Sequence, residues 1–146
     1  MSEQGSKPAP GALTGMRVLD LSRVLAGPSC AMILGDLGAE VIKVENPGAG
    51  DDTRAWGVMV APGQSTYYLS ANRNKKGIAL DLSKPEAQAI VRDIARRSDV
   101  LIENFKLGGL NRFGLDYASL SALNPRLIYC SISGDGRESP AAARPG

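Results

Sequence analysis

What most constrains the fold of this chain is a regular alternation of short apolar runs with segments patterned as helices. Met16 to Ser22, Glu40 to Glu45, Lys76 to Leu82, Val100 to Phe105 and Leu127 to Ser133 each read as a buried strand. Between them lie helical stretches. Gly27-Pro28 opens the first, with proline suited to the first turn; Ala31, Met32, Leu34 and Leu37 supply its apolar positions, and Gly38 is a stop. Strands separated by helices imply right-handed βαβ units and a parallel sheet. The fold class expected is α/β, a Rossmann-like parallel sheet with flanking helices.

Ser65 to Asn72 reads as a short helix, and Leu107 to Asn124 as one or two more. The clearest helix follows Ser83. A Ser-x-x-Glu pair, Ser83 and Glu86, predicts a capping box there. Ala87, Ile90, Val91 and Ile94 form an inner stripe, while Arg92, Asp93, Arg96 and Arg97 take the opposite face. Asn46 to Gln64 is read as a long loop without regular structure, rich in Gly, Pro and Asp.

Length and composition set the outer bounds. The 146 residues suit one domain, and a net charge of +2 with interleaved signs offers no basic stripe for nucleic acid. There is no histidine, and Cys30 and Cys130 are far apart. A zinc site or a nucleophile paired with histidine therefore cannot be assembled from these residues, and no metal is expected. The cysteines read as reduced core thiols. Residues 1–15 carry neither the apolar run of a signal peptide nor the basic amphipathic pattern of a transit peptide, and are expected to be a disordered tail ahead of 16–146. No run approaches the ~20 apolar residues of a membrane span. A cytoplasmic protein without a membrane partner is the expectation.

Ligands of open parallel sheets sit beyond the carboxyl ends of the strands. Here Ser22-Arg23-Val24-Leu25-Ala26-Gly27-Pro28 follows the first strand. It holds one glycine, so the dinucleotide fingerprint is absent, and no phosphate-binding Gly-x-x-x-x-Gly-Lys loop occurs elsewhere. Asn72-Arg73-Asn74-Lys75-Lys76 offers cations before the third strand, readable as a phosphate site or as a solvated turn.

Several of these segments resemble the opening of class III coenzyme A transferases. They are Arg23 to Pro28, Leu37 to Glu45, Pro47 to Arg54, Asn72 to Lys76, Ile102 to Phe105 and Asn124 to Gly134, in the family's order and spacing from about Leu13 onward. The resemblance implies the N-terminal part of a large Rossmann-like domain, incomplete here, with two chains interlocked as a homodimer in the full-length family. It implies acyl-CoA and carboxylic acid substrates, with coenzyme A as substrate and no permanently bound cofactor. On the family's pattern Leu25 and Ala26 lie near the coenzyme, Leu80, Leu82, Ser83, Asn104 and Phe105 line the adenosine and phosphate region, Arg112 meets a phosphate, and Ser133 sits near the thiol end. The residues alone leave other roles open: Leu25, Leu80 and Leu82 as core, Arg112 as a surface charge, Asn104 as a helix cap. Two departures stand out. Asn46 replaces an arginine found in some members after the second strand, and Gly134-Asp135-Gly136-Arg137 replaces a Gly-aromatic-Gly-Gln run.

The family chemistry implied is transfer of CoA from an acyl-CoA donor to a carboxylic acid, expected to be a dicarboxylic one, through an aspartyl mixed anhydride. The nucleophilic aspartate is expected beyond Gly146, so no catalytic residue is assigned and the chain reads as a fragment. The alternatives are a fragment of an α-methylacyl-CoA racemase-like isomerase, which would use an acid/base pair, and a non-catalytic CoA-binding domain.

Overall fold

The computed structural model describes residues 10–142. Five parallel strands form the main sheet: β1 (Arg17–Asp20), β2 (Glu40–Glu45), β5 (Lys75–Ala79), β6 (Val100–Glu103) and β7 (Ile128–Ser131), in the order β5-β2-β1-β6-β7. The chain moves outward from β1 through β2 to β5, then returns to the other side of β1 for β6 and β7. Strand order therefore reverses between β1 and β6, where such folds open a crevice.

Strands buried on both faces read as continuous apolar runs, and β1 shows why. Val18 faces one layer with Ala31, Val41 and Ile102. Leu19 and Leu21 face the other, with Val91, Leu101, Leu115 and Leu120. The first layer is closed by α1 (Ala26–Asp36), the second by α3 (Pro85–Arg96) and α4 (Tyr117–Leu123). Pro28 lies in the first turn of α1, and Gly38, at φ 104°, follows its last turn as expected. Gly27 is required by a close approach. A Cβ there would lie 2.2 Å from the Ser22 Cβ, so only hydrogen lets α1 start this near the end of β1.

Four expectations change. The fold extends upstream of Met16: the Leu13 amide donates to the Leu37 carbonyl at 2.8 Å, holding residues 12–15 in a turn against the end of α1. Residues 1–9 of the expected tail lie outside the described residues. The stretch 46–64 is not irregular, since it holds a 3-10 turn (Asp52–Ala55) and a hairpin of β3 (Met59–Ala61) and β4 (Gln64–Ser65), leading into α2 (Thr66–Asn72). The capping box at Ser83 does not form. Pro85 forces Lys84 to extended angles (φ −94°, ψ 133°), so the helix starts one residue late without a side-chain cap, and Ser83 instead donates its amide to Asp81. Consequently the inner stripe is Ala87, Val91 and Ala95, with Ile94 partly buried and Ile90 exposed. Cys30 and Cys130 are free but half-buried at the edge of the α1 layer, not fully enclosed. Among the described residues no helix is long and apolar enough to cross a membrane.

Candidate ligand-binding cleft

A cleft of about 630 Å³ opens beyond the carboxyl ends of β1, β2, β5 and β6. Two of its lining residues, Lys43 and Asp51, belong to a buried quartet of alternating charge completed by Asp20 and Lys75. Lys43, inside β2, is 1% exposed, with Nζ 3.0 Å from Asp51 Oδ2 and 4.0 Å from Asp20 Oδ2. Lys75 Nζ reaches the same Asp20 oxygen at 2.9 Å and donates to the Pro28 carbonyl and Asn72 Oδ1. Two lysines and two aspartates balance, as burial demands. Burial alone would raise the Asp51 pKa. Hydrogen bonds from the Thr53 hydroxyl and amide, with the Lys43 charge, outweigh it and hold the carboxyl below its ordinary range. For Lys75 burial wins, lowering its pKa despite Asp20.

A second network closes the β2 end. Glu45 accepts from Arg54 Nε and Nη2, from the Tyr68 hydroxyl and from the Asp51 amide. The Arg54 guanidinium also lies 3.8 Å over the Tyr68 ring. Burial opposes ionisation of Glu45, but these donors overcome it and lower its pKa. Burial, reinforced by the hydrogen bond to Glu45, raises the Tyr68 pKa well above its ordinary value.

With those charges paired inside the protein, the ones left facing the cleft are mostly cations. Arg23 lines it from the turn after β1, and Lys106 and Arg112 from the connection between β6 and α4. Arg23 lies 5.7 Å from the Phe105 ring centre and Arg112 4.5 Å from that of Phe113. Asp81 is the carboxylate among them, its pKa lowered by hydrogen bonds from the Ser83 hydroxyl and amide. Aromatic faces beside guanidinium groups suit a planar ligand carrying phosphate.

The expected site residues divide. Leu80, Leu82, Ser83, Phe105 and Arg112 line this cleft together. Asn104 adjoins it but binds the protein, accepting from the Arg23 amide at 2.9 Å and donating to the Arg23 carbonyl at 2.8 Å. It therefore caps no helix. Leu25, 48% exposed, and Ala26 lie outside the lining, at the start of α1. Ser133 is exposed beyond β7, also outside it. The Asn72-to-Lys76 cluster is not a free phosphate site. Arg73 and Asn74 bind Asp36, Lys76 binds Glu40, and Lys75 is buried. Sequence reasoning missed Arg23, Lys106, Lys43 and Asp51. The signal for Lys43 was a charge inside an otherwise apolar strand. Among the described residues no group of three metal-ligating side chains occurs.

The sequence model of CoA-transferase family III matches residues 13–146. The chain belongs to this family. It is 55% identical over 136 residues to a succinate–glutarate CoA-transferase of Agrobacterium fabrum, covering 89% of this chain and 34% of that protein. A human succinyl-CoA:glutarate CoA-transferase is 52% identical over 134 residues, covering 92% of this chain and 31% of the relative. In structure it matches a CAIB/BAIF family protein from Brucella suis with a TM-score of 0.90 and 48% identity, over 94% of this chain and 37% of the other. The family III chain described here thus spans about a third of the length of these curated relatives.

Proposed function

We propose that this chain carries the CoA-binding edge of a CoA transferase that passes CoA from an acyl-CoA to a dicarboxylic acid. The observation that carries the reading is the cleft itself: three cations and two aromatic rings at the carboxyl edge of a parallel sheet, in a member of family III. Phe105 and Phe113 would meet the adenine, and Arg23, Lys106 and Arg112 the phosphates. Relatives named for succinyl-CoA and glutarate support a dicarboxylate acceptor, and favour transfer over racemisation. The chemistry proposed is attack of an aspartate carboxylate on the thioester, with a mixed anhydride and CoA thiolate as products. The thiolate then attacks the aspartyl carbonyl of that anhydride, loading the enzyme as an aspartyl-CoA thioester and releasing the donor acid. The acceptor carboxylate attacks this thioester to give a second mixed anhydride, whose acceptor acyl carbon takes the thiolate back and frees the aspartate. That aspartate is placed outside these 146 residues.

The same reading makes the working protein a cytoplasmic homodimer. Its two unpaired thiols support a reducing compartment. The exposed apolar surface of Val58, Met59 and Val60 supports a protein interface. Calorimetric titration of this chain with coenzyme A is the decisive test. Stoichiometric binding that weakens with salt is expected, and a folded chain that takes up no CoA would overturn the reading.

A further inference from the structure

The turn that leaves β1 is held almost entirely by side chains. Lys43 Nζ donates to the Ser22 carbonyl at 2.9 Å, Asn104 grips both backbone groups of Arg23, and the Val24 amide points at Asp51, 3.2 and 3.3 Å from its two carboxylate oxygens. These three side chains come from β2, from the loop after β6 and from the loop after β2. Val24 is held at φ 70°, a left-handed conformation that a β-branched residue avoids unless its surroundings impose it. The grip is itself anchored, because Lys43 and Asp51 are buried and paired at 3.0 Å. Arg23, between the gripped positions, is the exposed cation that stands over Phe105 in the cleft.

We infer that Asp51, its charge balanced by Lys43, is a positioning residue: its side-chain acceptor locks the Ser22–Val24 turn and thereby aims the Arg23 guanidinium at an anionic, phosphate-bearing ligand. The inference rests on the reading of the cleft as a CoA site. Neither residue needs to touch the ligand. Their pair charge makes the buried carboxylate tolerable, and the carboxylate imposes the strained turn.

The test compares two neutral double variants of this chain that differ in one acceptor. Lys43→Met/Asp51→Asn keeps a carbonyl for the Val24 amide, whereas Lys43→Met/Asp51→Leu removes it. Both avoid a lone buried charge, so both are expected to fold. A left-handed residue brings its amide and α protons close, so Val24 should give a strong intraresidue NOE in the wild type and the Asn variant. It should weaken in the Leu variant. CoA affinity, by calorimetry, should stay within about threefold for the first and fall about tenfold for the second. On an Arg23→Ala background the same Asn-to-Leu difference should shrink below about twofold, a non-additivity that general loosening would not produce. Equal NOEs and affinities in the two variants would overturn the inference, as would a loss that persists in full without Arg23. If the wild type takes up no CoA, the cleft reading is what fails. The NOE then decides the lock alone: its loss in the Leu variant supports the lock, and its retention overturns it.

Discussion

Lys43 and Asp51 meet at 3.0 Å with neither side chain reaching solvent, joining the middle of β2 to the loop that follows it. Breaking such a pair from one side leaves an uncompensated buried charge, which costs far more than the pair itself contributes. Lys43→Met is expected to destabilise the chain by about 3–5 kcal/mol. Adding Asp51→Asn should recover most of that loss. Urea unfolding followed by circular dichroism measures both, and equal midpoints for the single variant and the wild type would refute the claim.

Asp51 and Glu45 are both held below their ordinary pKa. Burial opposes ionisation in each, and local hydrogen bonds prevail. The unfolded chain therefore takes up protons at these sites at higher pH than the folded one. Stability from them is complete above the unfolded values, about 4, and is lost as pH falls towards the lower folded values. The melting temperature should accordingly drop between about pH 5 and pH 3. Glu45→Gln should flatten that slope; an unchanged slope would show that Glu45 contributes nothing to it.

Much of this was legible beforehand, and the exceptions have physical causes. The central strands β1 and β6 could be read because they are buried on both faces and appear as short apolar runs. The edge strands β5 and β7 are only partly buried and were read from the alternation of segments around them. The β3–β4 hairpin could not: all three residues of β3 are exposed, which leaves no alternation to detect. Ser83 and Glu86 had the right spacing for a capping box, but Pro85 removed the helical option for Lys84. In the cleft, Leu80, Phe105 and Arg112 were found through family resemblance. Lys43 and Asp51 escaped because a buried ion pair depends on how β2 and its following loop meet, which no local pattern reports.

Gly27 offers a sharper check on how α1 meets β1. Gly27→Ala places a methyl within 2.2 Å of the Ser22 Cβ, so the helix start must move, at a cost of about 1–3 kcal/mol. Gly77→Ala is the control, because a Cβ there meets nothing within 4 Å. The control should be neutral or slightly stabilising. Thermal melts of the pair that coincide would remove the close approach as a requirement.

Asn46 bears on how much charge the cleft brings to its ligand. It lines the cleft at the end of β2, beside Glu45, whose carboxylate is already satisfied by Arg54 and Tyr68. An arginine placed there would find no unpaired acid next to it on Glu45, leaving its guanidinium for the ligand. Asn46→Arg is therefore expected to tighten CoA binding by roughly threefold to tenfold at low salt, with the gain fading as ionic strength rises. Arg112→Ala should move affinity the other way by about tenfold, and Arg112→Lys by less, because an ammonium keeps the charge but not the planar pair of donors. Calorimetry at two salt concentrations separates these effects. A gain at position 46 that is insensitive to salt would mean the arginine acts by packing instead of by charge.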